Sequence, residues 1–208
     1  MRPLVLAFAL AIAFVAAPAS ALPQTLEFDV LREGSPIGGH RVTIDTRDGE
    51  THVDIAIDLS VRFAFVTLYR YTHRSTEVWR AGRLIALDAQ TDDNGERTRV
   101  QARARDGALA VTGSGGDYLA PADAIPTSYW NPDQVARRRL LDTQSGKLID
   151  VAAVAVPAEG TGAMWRLNGD LEADLAYGPT GEWTGLSFVA RGARIVYVRR
   201  GQTAAVAR

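Results

Sequence analysis

Residues 53–65 read Val-Asp-Ile-Ala-Ile-Asp-Leu-Ser-Val-Arg-Phe-Ala-Phe, and every odd position in the run is apolar. Side chains that repeat every second residue stand on one face of a pleated strand, so the stretch predicts a half-buried β-strand. Tyr69, Tyr71, His73 and Trp79 keep the phase, while Asp54, Asp58, Arg62, Arg70 and Arg74 take even positions. One strand of that length exceeds the usual ~3–10 residues. The pattern therefore divides into two strands with a bend at residues 64–68, where even positions turn apolar as well. On this reading Phe63, Phe65, Tyr69, Tyr71 and Trp79 belong to the core.

The same period extends outward. Leu26, Phe28 and Val30 alternate with Glu27 and Asp29, and His40, Val42 and Ile44 share a face of the next strand. Asp48-Gly49, Ala81-Gly82, Asn94-Gly95 and Asp106-Gly107 are reversal signals, because a tight hairpin turn needs positive φ that Gly accepts cheaply. Further strands are expected over 84–91, 97–105, 109–112, 147–156, 163–167, 171–177, 183–190 and 194–199. No helical period separates them. The expected fold is all-β, one antiparallel sheet, strongly curved or a partly open barrel, of about 10–12 strands. Only residues 113–142 depart from it, with three prolines and a Gly-Ser-Gly-Gly tract. There Pro132 is placed to open one short helix near 132–140 carrying Val135 and Leu140. A long aromatic-bearing connection of this kind is usually functional or a lid.

The ends suggest export. Arg2, the apolar run 4–17 and Ala19-Ser20-Ala21 have the layout of a Sec signal peptide, with cleavage expected after Ala21 and a periplasmic or secreted product. The run is shorter than the roughly 20 residues that cross a bilayer, so a mature protein that does not span the membrane is expected. Residues 22–200 then form one β domain, 201–208 a disordered tail. There is no cysteine, so thiolate catalysis, disulfides and Cys-ligated metals are excluded. A net charge of −1 gives no support for nucleic-acid binding.

Five groups of residues carry possible chemistry. Gly113-Ser114-Gly115-Gly116 resembles a serine-protease nucleophile tract, with His73 and Asp92 in matching chain order, but its flanks differ and a flexible turn explains it better. His40, His52 and His73 lie on separate strands, and their spacing specifies no metal. Asp92-Asp93-Asn94-Gly95-Glu96 lacks the spacing of a calcium loop and reads as a hairpin turn whose acids could touch a ligand. Arg97, Arg99, Arg103 and Arg105 make a basic stripe on one strand face, able to bind envelope anions or simply to be solvated. Tyr129 and Trp130 sit in a connection with no periodicity to bury them, which suits a ligand contact.

Several motifs recur together: Pro36-Ile37-Gly38 with His40, Tyr69-Arg70-Tyr71 with His73, Thr91-Asp92-Asp93-Asn94-Gly95, Tyr129-Trp130-Asn131-Pro132, and Glu182-Trp183. The set resembles a family of small exported proteobacterial β-proteins, over residues 26–197. The resemblance implies export and a β fold and carries no activity. More weakly, the chain is similar to periplasmic β-proteins whose sheets curl around apolar cargo. The leading expectation is a monomeric, non-enzymatic binding or envelope-assembly protein for an apolar or amphipathic ligand, without cofactor or resident metal. His40, Tyr71, His73, Asp92, Asp93, Asn94, Tyr129, Trp130 and Asn131 are its candidate contacts. A hydrolase or lyase acting through Asp92, Asp93 and His73 is the first alternative. A structural partner of an outer-membrane complex is the second.

Overall fold

In the computed structural model, residues 22–158 and 160–201 are described, and their strands make a single 14-stranded sheet. The expected signal peptide and all of the expected tail but Gly201 lie outside these residues. The first eight strands are β1 (Gln24–Arg32), β2 (Ser35–Arg47), β3 (Glu50–Phe63), β4 (Val66–Arg80), β5 (Arg83–Asp93), β6 (Glu96–Arg105), β7 (Ala108–Gly113) and β8 (Gly116–Pro121). After an irregular stretch come β9 (Arg139–Leu141), β10 (Leu148–Val156), β11 (Ala163–Gly169), β12 (Ala173–Tyr177), β13 (Trp183–Ala190) and β14 (Ala193–Arg199). The order across the sheet is β8 down to β1, then β14 down to β9. Two meanders are thus joined where β1 pairs antiparallel with β14, Phe28 opposite Arg199.

The all-β antiparallel reading holds, with corrections. Fourteen strands stand where 10–12 were expected; the additional β8 and β9 are short and lie inside the proline-bearing region, where too few residues alternate to show a period. The expected helix is a 3₁₀ turn over Pro132–Ala136, and Leu140 falls in β9 rather than on it. The bend at 64–68 is a tight hairpin, Phe63 facing Val66 across it. Phe63 and Phe65 are consequently exposed at its tip and not in the core.

The core is what the period demands. Leu26, Phe28, Val42, Val53, Leu87 and Val100 are sealed from water on the concave face. The convex face carries the charges, whose exposed ion pairs contribute little each. Gly38 is required by close approach: its φ is 147°, and a Cβ there would stand 1.9 Å from the Asp58 carbonyl oxygen on β3. That contact lets β2 and β3 curve together.

The two edge strands, β8 and β9, do not pair with each other. Other bonds bridge the seam. Gly115 N–H and the Ser114 hydroxyl both donate to Ser145 O at 3.0 Å, and the Tyr118 hydroxyl donates to Gly146 O at 2.8 Å. A Cβ on Gly113 would meet Ser145 O at 2.7 Å. The Gly-Ser-Gly-Gly tract is thus the hairpin turn that lies against the other end of the sheet. Further along, Leu141 N–H donates to Ile125 O and Thr127 N–H to Leu141 O, a parallel bridge beside β9. No helix among the described residues is long and apolar enough to cross a membrane.

Candidate functional site

Register places the candidate residues in rows. Phe28, His40, Ile57, His73 and Thr91 are successive partners across β1 to β5. One step toward the hairpin tips, Gly38, Leu59, Tyr71 and Asp93 form the next row. In an antiparallel meander alternate turns share an end, so the β1–β2, β3–β4, β5–β6 and β13–β14 turns all lie at one end of the curled sheet. Inside that end is a cavity of about 530 Å³. Its volume falls within the ~300–1,000 Å³ of small-molecule sites. Ile55, Ile57, Leu59 and Val61 of β3 form an apolar wall, opposite Leu186 and Ile195. Arg32, Leu68, Asp93 and Arg191, from the ends of four hairpins, also line it.

His40 lies deepest in chemical terms. It is 3% exposed, and neither ring nitrogen has a hydrogen-bond partner among the described residues. Its ring stands edge-on to Trp183 at 5.0 Å and to Tyr197 at 5.6 Å. Burial, with the neighbouring His73, holds its pKa down at about 3, so it is a neutral imidazole at physiological pH. His73 Nδ1 shares a 2.9 Å hydrogen bond with the Thr91 hydroxyl, and burial lowers its pKa to about 4. Burial also raises the Tyr71, Tyr129 and Tyr197 phenols, which stay protonated as donors. At the outer end the Arg191 guanidinium stacks 4.6 Å over the Tyr69 ring and reaches Asp93 at 3.4 Å. Burial and the Asp93 carboxylate push Tyr69 up to about 12.

The structure brings five candidates to one cavity: His40, Tyr71, His73, Asp93 and Tyr129. Others go elsewhere. Asp92 turns outward, capping Gly95 N–H at 2.8 Å and pairing with Arg97 at 3.0 Å, because adjacent strand residues face opposite ways. The Asp92 and Asp93 carboxylates therefore do not form a pair. Asn94 occupies the turn, with φ of 55°. Asn131 caps the 3₁₀ turn through a 3.0 Å bond from Asp133 N–H. Trp130 is anchored away from the cavity, its Nε1–H donating to Glu77 Oε2 at 2.9 Å beside the Trp79 indole at 2.8 Å. The Tyr129 carbonyl is held by the Tyr177 hydroxyl at 2.9 Å. The Tyr-Trp-Asn-Pro segment is thus a fixed wall where a loop lid was expected. Arg97, Arg99, Arg103 and Arg105 do form an outer stripe, but each already faces a carboxylate of Asp92, Asp88 or Asp106. His52 pairs with Glu50 at 3.4 Å, away from the other two histidines. No group of three or more ligating side chains gathers for a metal among the described residues.

Two residues of the site are missing from the candidate contacts. Glu77 keeps the inward phase of β4, an acid at a core position, which was a visible signal. Trp183, fully buried against Phe28 at 4.0 Å, sits at the centre of the aromatic floor; its role needs contacts from β1, β2 and β14 that no local pattern reveals.

A curled antiparallel sheet enclosing an apolar, histidine-bearing cavity defines an all-β, barrel-like protein. Residues 28–200 match the profile of a family described as a domain of unknown function, DUF6134, and the chain belongs to that family. Among solved structures it is similar to a beta-barrel-like protein of domain of unknown function DUF1849 from Brucella abortus. The TM-score is 0.57 at 10% identity, over 85% of this chain and 95% of that one. A search of curated proteins finds none that matches. The structural likeness carries the fold alone.

Proposed function

We propose that this chain is a non-enzymatic envelope protein that binds an apolar or amphipathic ligand inside its curled sheet. The observation that carries the reading is His40: a fully buried imidazole, without a hydrogen-bond partner among the described residues, lining a cavity whose β3 wall is aliphatic. A buried polar group left unpaired costs about 1–3 kcal/mol, and a ligand donor or acceptor would relieve it. The neutral His40 imidazole favours an uncharged group there, since a buried charge needs a partner. Export rests on the signal-peptide pattern of residues 1–21.

Native mass spectrometry of the protein purified from a periplasmic extract, together with titration of a fluorescent fatty-acyl probe, tests this. The expected result is a one-to-one adduct and saturable probe binding. Leu59→Trp, which fills the cavity from a half-buried position, should weaken probe binding by about tenfold while the melting transition is kept. A protein that takes up no probe, or takes it up equally well after Leu59→Trp, would refute the reading.

A further inference from the structure

The apolar wall of β3 does not stop at the cavity. Phe63 continues the phase of Ile57, Leu59 and Val61 into solvent and is 74% exposed. Phe65 at the turn is fully exposed, and Val66 and Leu68 on the returning strand are 59% and 60% exposed. Leu68 lines the cavity as well, so tip and mouth are one surface. The turn also lacks the glycine that its counterparts carry. Glu33-Gly34, Asp48-Gly49, Asn94-Gly95 and Arg191-Gly192 use a glycine as the second left-handed residue, whereas here Ala64 takes φ of 52° and Phe65 follows. Left-handed backbone is disfavoured for a residue with a Cβ, and a loop tip is ordinarily small and polar. Large apolar side chains kept exposed at such a tip point to a use for it.

Charge indicates what the tip meets. Arg41, Arg74, Arg80 and Arg103 on the convex face each hold a carboxylate. Arg62 and Arg70, flanking the tip, and Arg32 at the mouth are exposed and have no carboxylate within ion-pair distance among the described residues, Arg70 feeling Asp92 only from farther away. We infer that the β3–β4 hairpin docks the cavity mouth onto an anionic phospholipid bilayer. Phe63, Phe65 and Val66 enter the acyl boundary, and the guanidinium groups meet phosphates. A second copy of this chain fits less well, because it would set the same unpaired arginines against each other. Docked in this way, an apolar ligand would slide along β3 between bilayer and cavity without crossing water.

Flotation of the intact protein with vesicles tests the docking. Vesicles of phosphatidylethanolamine with phosphatidylglycerol should carry it, and vesicles of phosphatidylcholine should carry much less. Phe63→Ser with Phe65→Ser should weaken binding about tenfold or more, at unchanged circular dichroism and melting. Arg62→Gln with Arg70→Gln should remove the preference for phosphatidylglycerol and its salt sensitivity. Phe65→Trp should report insertion as quenching by brominated acyl chains. Failure to float, or flotation indifferent to the serine pair, overturns the inference. So does self-association that the serine pair abolishes in a protein that never floats, which would assign the tip to a second copy. The acyl probe gives an independent control: loss of probe binding would count against the carrier reading alone, because docking is read from the vesicles.

Discussion

Both ring nitrogens of His40 are buried without a partner among the described residues, and the pKa of its imidazole is held at about 3 by that burial, against 6.5 in water. His73 is held at about 4. For both, the unfolded chain binds more protons than the folded one in the window between these values and 6.5. Their contribution is therefore complete above pH 6.5 and lost as the pH falls. From pH 7.5 to pH 5 the loss is of order 2 kcal/mol per histidine. Urea denaturation across that window should show it, and His40→Phe should flatten the slope by about half. An unchanged slope in His40→Phe would sink the assignment. At pH 7.5 the same substitution should leave the ligand-free protein as stable or more so, since it removes unpaired nitrogens, while weakening a ligand that bonds to them. That His40 faces inward was legible from its phase with Val42. That nothing meets its nitrogens was not, because the answer depends on Trp183 and Tyr197, more than a hundred residues away.

Between elements, Glu77 ties β4 to the irregular segment, its Oε2 accepting from Trp79 and Trp130. Burial raises its pKa, so its stabilising share is lost as the pH rises through the folded value. Glu77→Gln keeps an acceptor without the ionisable group, and its stability relative to the parent should grow as the pH rises above the ordinary carboxyl value of 4.5. Glu77→Ala leaves two indole N–H groups unpaired beside a void and should cost about 3 kcal/mol. Equal losses in both variants, measured by chemical denaturation, would argue against the buried-acid account. Gly38 and Gly34 make a second contrast. Both have positive φ, but a Cβ on Gly34 meets nothing within 4 Å, whereas one on Gly38 meets Asp58 O. Gly34→Ala should cost about 1 kcal/mol and Gly38→Ala clearly more, about 3 kcal/mol. The paired strands on either side of Glu77 were readable from alternation. The Trp130 contact was not, since residues 126–132 have no period and two prolines.

Over the whole molecule, one pairing and one seam decide the shape. Joining β1 to β14 pairs the first strand with the last, a contact whose loop-closure entropy makes folding slow relative to local hairpins. The seam at Gly113 and Ser145 has no ladder, so it is the weak line of the sheet. Gly113→Val should force the two apart, destabilising the fold by about 2–3 kcal/mol and speeding amide exchange at Gly115 more than in β3 or β4. Exchange that rises equally everywhere would place the weak line elsewhere. The sequence by itself determined the β class, the antiparallel meander and the inward faces, because a two-residue period and X-Gly turns are local properties of the chain. It also showed which residues could line an interior. Only the tertiary structure decided that the sheet curls far enough to hold a cavity, that Phe63 and Phe65 leave the core for a hairpin tip, and that Trp130 fastens a wall instead of covering a mouth. Curvature, seam closure and the company kept by a buried side chain are sums over strands distant in sequence, and no window of residues contains them.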